Sequence, residues 1–420
     1  MGRIGRRGFV MTAAGAMAAL ATAGDATPGD AAAQSAAQAS RRGATAREFR
    51  GMWIATVANR DWPSASGLTP DRQRAELCAH LDTAVARKLN VVVLQVRPTA
   101  DALWPSPYEP WTQYLTGSQG RDPGWDPLGT AVAEAHRRDL RLHAWFNPYR
   151  VAVHTDPSRL VESHPARVHP EWVLPYGGKL YYNPGIPEVR RFVQDAMMDA
   201  VRRYDIDGVH FDDYFYPYPV TGQVFDDDAT YARYGAGFPD KAAWRRDNTD
   251  RLVREMADRI KKYKRGIPFG ISPFGVWRNA ATDPLGSDTA AGVQTYDDLH
   301  ADTRKWVKKG WIDYVVPQIY WNIGFPVADY ARLLPWWNDV VRDTDVDLYA
   351  GEALYKAGDP AQPAPWQDPA ELSRHLTLAR GYEGVRGHCF FAAKEVRTDR
   401  IGAMARVVAD HYPTRVRPPD

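Results

Sequence analysis

From residue 50 to the C-terminus, short apolar runs alternate eight times with amphipathic ones, and no hairpin signal joins one apolar run to the next. The runs fall at 51–56, 91–97, 141–147, 208–213, 269–273, 314–320, 347–352 and 387–392. Helical patterns fill the gaps at 70–88, 127–138, 188–204, 240–264, 296–309, 329–342, 369–382 and 398–412. Thr69-Pro70 shows how such a helix starts, with an N-cap hydroxyl and then a proline that needs no amide partner. Strands that cannot turn back on their sequence neighbour pair in parallel, and parallel pairing needs a crossover helix. Eight strand–helix units predict an α/β protein with a closed (β/α)8 TIM barrel, not an open doubly wound sheet. No G-x-G-x-x-G follows the first strand, which also argues against a dinucleotide fold.

The longest connections follow strands two, three and four, at 98–126, 148–187 and 214–239. They leave C-terminal strand ends, the face where barrels of this kind build their sites. All three are aromatic-rich, carrying Trp104, Trp111, Trp172, Tyr176, Tyr181, Tyr216 and Tyr218, in a chain with 15 Trp and 21 Tyr. Flat apolar rings at a barrel mouth suit sugar faces.

Period-2 alternation predicts which strand-end residues point inward. With Val92, Leu94 and Val96 facing the helices, Gln95 and Arg97 face in. In the third strand His143, Trp145 and Asn147 do so, and the sixth aligns Gln318 and Tyr320. Ser272 comes from the fifth strand, and Glu352 closes the seventh, sharing parity with Leu348 and Ala350. The segment Asp207-Gly-Val-His-Phe-Asp-Asp-Tyr-Phe-Tyr-Pro217 is the most chemically loaded. It sets Val209 and Phe211 on one face and His210 and Asp212 on the other, then adds Asp213 and Tyr214. Carboxylates are costly to bury unless paired or used. Two acids among aromatic rings fit the protonation of a glycosidic oxygen.

Six segments carry a family resemblance: Arg50-Gly-Met-Trp-Ile-Ala55; Gln95-Val-Arg-Pro98 with Asp101-Ala-Leu-Trp-Pro-Ser106; His143-Ala-Trp-Phe-Asn-Pro-Tyr-Arg150; Asp207 to Pro217; Ile271-Ser-Pro-Phe-Gly-Val-Trp-Arg278; and Val316-Pro-Gln-Ile-Tyr-Trp321. Together they resemble the bacterial glycosyl-hydrolase-like family 10 over roughly residues 47–400. The resemblance implies a (β/α)8 barrel in the cell envelope that hydrolyses peptidoglycan glycan strands stripped of stem peptides. It nominates Asp101, Asn147, Asp212, Asp213, Gln318 and Tyr320. The expected catalytic residues are Asp212, Asp213 and Glu352. Gln95, Arg97, Asp101, His143, Trp145, Asn147, Tyr149, His210, Tyr214, Gln318, Tyr320 and Trp321 are expected to bind substrate, with no metal and no cofactor.

Two mechanisms fit these residues. Either one Asp is the general acid and Glu352 is nucleophile or base, or the Asp pair works alone, one as acid and the other orienting a substrate 2-acetamido group that attacks its own anomeric carbon. The start of the acidic segment resembles the Asp-Gly-x-Asp-x-Asp strand of chitinase-type barrels. Here His210 replaces an Asp, and no Glu follows at the expected place. A non-catalytic glycan-binding barrel is one alternative. A metal-dependent deacetylase using Asp212, Asp213 and His143 or His210 is another.

At the other end of the chain, Arg6-Arg7 precedes an apolar run too short to span a membrane, and Ala21-Thr22-Ala23 supplies a small-residue cleavage site. Residues 1–23 therefore resemble a twin-arginine export signal, 24–46 an unstructured tether, and 47–420 one domain. The mature protein is expected outside the cytoplasm without an integral membrane segment. Its net charge of +2, from 53 basic and 51 acidic residues spread along the chain, predicts no nucleic-acid partner. Cys78 and Cys389 are read as two separate buried thiols, although neighbouring first and last elements would allow a bridge.

Overall fold

The computed structural model describes residues 47–419; the expected export signal and tether lie outside the described residues. Eight parallel strands close into a barrel: β1 (Phe49–Ile54), β2 (Val91–Arg97), β3 (Arg141–Phe146), β4 (Gly208–Phe211), β5 (Phe269–Ile271), β6 (Tyr314–Val315), β7 (Asp347–Glu352) and β8 (Val385–Phe390). Each strand neighbours the next, and β8 closes against β1. The helices that follow them are α1 (Pro70–Ala86), α2 (Pro127–His136), α3 (Pro187–Arg203), α4 (Lys241–Tyr263), α5 (Thr303–Lys308), α6 (Tyr330–Val341), α7 (Glu371–Ala379) and α8 (Ala403–His411). This is the expected TIM barrel. No helix among the described residues is long and apolar enough to cross a membrane.

Several elements are shorter than their sequence patterns. The β6 ladder stops after two residues, since Pro317 has no amide hydrogen to give. Gln318 then makes isolated bridges to Phe274 and Gly351, so the extended path continues without a ladder. The helix expected at 398–412 starts only at Ala403, after Gly402 at φ 77°, and a separate short helix, Ala393–Thr398, precedes it. The connection after β3 forms a three-stranded antiparallel sheet of Arg150–Ala152, Val173–Tyr176 and Lys179–Tyr182.

Side-chain alternation builds two cores. Val92, Leu94, Val96, Leu348 and Ala350 pack outward against the helices, whereas Phe49, Trp53, Val91, Val93, Trp145 and Tyr314 fill the barrel itself. Inward glycines make room for these large rings. A Cβ on Gly208 would lie 2.6 Å from the His143 ring, and one on Gly270 only 2.1 Å from the Tyr314 ring. Cys389 is buried, whereas Cys78 is only half-buried, with its thiol 3.7 Å from Glu134 Oε2; both are free.

Candidate functional site

Strand β4 ends by carrying Asp212 and Asp213 to the C-terminal rim. Asp212 is held from several sides. Its Oδ2 accepts from Trp145 Nε1 at 3.0 Å and from Asn147 Nδ2 at 3.0 Å, while Tyr214 N donates to Oδ1 at 3.3 Å. Burial raises its pKa above the ordinary carboxylate value, against the Arg150 charge and these donors. Asp213 accepts from the Tyr218 hydroxyl, and Gln318, whose Nε2 donates to the Ser272 carbonyl at 2.9 Å, is close enough to act against the rise of its pKa. Burial and then the Asp212 charge push its pKa up to about 6. Adjacent acids with unequal donor sets separate into one that stays anionic and one that holds a proton near neutrality. Asp212, with the larger donor set and the nearby Arg150, is the better anion; Asp213 is the better acid.

Of the residues expected at this mouth, Trp145, Asn147, Tyr214 and Gln318 gather around the pair. Tyr320 is half-buried there, its pKa raised by burial and by neighbouring charges that include Asp213. Trp321 packs edge-on against Phe274, which in turn packs against Tyr218. Gln95 faces inward but serves as a staple: its Oε1 accepts from the amides of Thr56 and Val57 at 3.0 and 2.9 Å. Its Nε2 is buried without a protein partner.

Other expectations need correction. Glu352 does not face the mouth. It shares its parity with Leu348 and Ala350, stands opposite Phe390 of the outer core, and so turns towards the helices. There Tyr330, His375 Nδ1 and His388 Nδ1 meet it at 2.7, 2.8 and 2.9 Å. Burial opposes its charge, but His375 and His388 outweigh burial and hold its pKa down to about 2. Arg97 is displaced because the β2–β3 register slips between Gln95 and Arg97 and sets Arg97 opposite Phe146. It is buried in an ion pair with Glu109, its Nε donating at 2.7 Å. Tyr149 belongs to the outer core and is closed off from solvent. So is Asp101, whose pKa burial pushes up to about 7.

His143 and His210 point into the barrel as expected but lie below the mouth. Trp53 Nε1 can only donate, and it meets His210 Nε2 at 3.2 Å, so His210 carries its proton on Nδ1. That proton goes to the Tyr314 hydroxyl at 3.0 Å, which donates onward to His143 Nδ1 at 2.9 Å. Ser272 Oγ also meets His210 Nε2, at 2.9 Å. Burial drives both histidine pKa values down, that of His143 to about 3. These nitrogens are committed to the barrel interior, and no group of three or more His, Cys, Asp or Glu side chains among the described residues is placed to hold a metal ion.

Three residues at the mouth were not among those expected to bind substrate: Arg150, and Tyr181 and Tyr218, which the sequence placed only among the loop aromatics. Arg150 and Tyr181 are register partners in the three-stranded sheet. Arg150 lies over the Tyr214 ring at 5.0 Å. The signal that could have placed Arg150 and Tyr181 is Tyr176-Gly177-Gly178-Lys179, a two-residue hairpin turn with both glycines at positive φ (56° and 74°).

Comparison with known proteins shows the family and the fold. The family described as glycosyl hydrolase-like 10 matches residues 48–368. The chain is 50% identical over 368 residues to the glycosyl hydrolase YngK of Bacillus subtilis (strain 168), covering 87% of this chain and 72% of that protein. It is 41% identical over 367 residues to the glycosyl hydrolase DigH of Escherichia coli (strain K12), covering 83% of each. Among solved structures, the PgaB (BpsB) glycoside hydrolase domain from Bordetella bronchiseptica aligns with a TM-score of 0.53 at 13% identity, covering 88% of this chain and 100% of that one. Alpha-L-fucosidase isoenzyme 2 from Paenibacillus thiaminolyticus aligns with a TM-score of 0.52 at 13% identity, covering 86% and 49%. Likeness at such identities speaks for the fold alone.

Proposed function

The chain belongs to the glycosyl hydrolase-like 10 family and is a glycoside hydrolase, and from that premise we propose that it is exported and cleaves the N-acetylated glycan strands of peptidoglycan after their stem peptides are removed. The observation that carries the mechanistic part is the unequal set of donors around the two acids: Trp145, Asn147 and the Tyr214 amide at Asp212, against the Tyr218 hydroxyl at Asp213. Glu352 is engaged on the helix side of β7, which leaves the scheme in which the Asp pair works alone. Asp213 gives its proton to the leaving glycosidic oxygen. Asp212 orients the 2-acetamido group, whose carbonyl oxygen attacks the anomeric carbon as that bond breaks. Asp213, now a carboxylate, then takes a proton from the water that opens the cyclic intermediate. Tyr218 and Gln318 steady Asp213, while Trp145, Tyr214 and Tyr320 limit water and offer ring faces to sugar.

The assay is release of reducing ends and of acetate from purified glycan strands, with and without chelator. New reducing ends insensitive to chelator support the hydrolase reading. Acetate release that chelator abolishes would favour a deacetylase, and binding with neither product a glycan-binding barrel. The export route rests on Arg6-Arg7. Replacing both with Lys should hold the precursor in the cytoplasm, and normal export of that variant would contradict the twin-arginine route.

A further inference from the structure

Arg150 and Lys179 stand close together on one face of the three-stranded sheet after β3. Arg150 is the register partner of Tyr181, and Lys179 lies two residues before Tyr181 on the same strand, so all three side chains share a face. That face lies beside Asp212: Arg150 sits over the Tyr214 ring at 5.0 Å, the Tyr214 amide donates to Asp212 Oδ1 at 3.3 Å, and the Arg150 charge acts to lower the Asp212 pKa.

The Arg150 guanidinium is buried and donates from Nε and Nη2 to the Pro98 carbonyl at 3.1 and 3.0 Å. Its Nη1 has no acceptor among the described residues. Lys179 is half-buried, and its pKa is lowered by burial and then by the Arg150 charge, with no acid acting on it. Several other sheltered cations among the described residues are paired with acids: Arg97 with Glu109, Arg245 with Asp227, and Arg60 with Asp61 and Glu395. Two like charges on one face, with no acid acting on Lys179, form an arrangement that an incoming anion would relieve.

We propose that Arg150 Nη1 and Lys179 Nζ form a subsite for a free carboxylate on a sugar substituent, next to Asp212. The subsite rests on the reading given under Proposed function and narrows it. Removing a stem peptide leaves a lactyl carboxylate, which this pair can hold by charge-assisted hydrogen bonds. A lactyl group still bonded to peptide offers a neutral amide there instead.

The test uses purified glycan strands and the same strands with their carboxyl groups converted to methylamides. Turnover is measured for the wild type, Lys179→Gln and Lys179→Arg, and each variant's thermal midpoint checks folding. Direct binding of both ligands is measured on the Asp213→Asn chain with and without Lys179→Gln, so that affinity is read without turnover. Amidation should lower wild-type kcat/KM about tenfold, the factor for one modest charged contact, mainly through KM. Lys179→Gln should treat the two forms alike within about twofold, and Lys179→Arg should restore the preference. A wild type indifferent to amidation, or a Lys179→Gln variant as selective as wild type, overturns the subsite. An oligosaccharide of alternating N-acetylated sugar and uronate tells a ring carboxylate from a lactyl one. Carboxylate-selective binding without cleavage would sink the proposed function and leave the subsite standing; cleavage without carboxylate preference would do the reverse.

Discussion

The chain buries carboxylates at two ends of neighbouring logic. At the outer face of β7, Glu352 receives Tyr330, His375 and His388, and its pKa falls to about 2. At the end of β4, Asp213 shares its surroundings with another acid, and its pKa rises to about 6. Burial opposes ionisation in both places. The neighbours decide the outcome: two imidazoles outweigh burial at Glu352, while the Asp212 charge adds to it at Asp213. The first arrangement locks helices to the barrel. The second keeps a proton available for transfer, at a cost to stability.

The sharpest way to break this comparison is to neutralise the satisfied site. Glu352→Gln should lower folding stability by about 3–5 kcal/mol, the range for breaking a buried charged pair, as read by chemical denaturation. The kcat of the protein that remains folded should change less than about threefold. Since the Glu352 pKa is lowered from 4.5 to about 2, its contribution is present above the unfolded value and is lost as pH falls through about 2. The His375 pKa is raised, so its share is present below its unfolded value of 6.5 and is lost as pH rises through the folded one. Both dependences should weaken in the variant.

Neutralising the frustrated site should do the opposite. Asp212→Asn and Asp213→Asn should each lower turnover on glycan strands at least about 10²-fold, the low end for a lost general acid. The thermal midpoint should stay the same or rise, because a charge disfavoured by the fold has been removed. Near-full activity in both variants would move the chemistry away from β4.

How much of this contrast was legible in the sequence depends on the element. Alternation placed Gln95, Trp145, Asn147 and Asp212 inward, because each strand's period is fixed locally. The same rule already set Glu352 with outward Leu348 and Ala350, so its true face was readable from parity. Arg97 was not readable, because its displacement comes from a register slip against β3. Nor was the place of Arg150, or the contact of the mouth aromatic Tyr218 with Asp213, since both depend on how the long connections fold back over the mouth. Asp101 matched a family motif, yet a motif fixes identity and not exposure, and the loop encloses it.

Asp101 gives the smallest expected effect. Its pKa is raised from 3.8 to about 7, so the wild type should lose stability as pH rises across that window, where the folded state holds a proton the unfolded chain releases. Asp101→Asn should flatten that decline by at least about 1 kcal/mol, followed by denaturation at pH 4 through 8. An unchanged slope would show that the carboxylate has partners in solution.

The most direct test of Asp213 as the proton donor is the pH dependence of kcat on glycan strands, in the wild type and in Asp213→Asn. Wild-type kcat should descend above about pH 6, close to tenfold per unit, as the coupled pair loses its proton. In Asp213→Asn the residual rate should run flat through that range. A descending limb near pH 6 that survives in the variant, or a wild-type rate that climbs steadily from pH 5 to 8, would contradict the assignment.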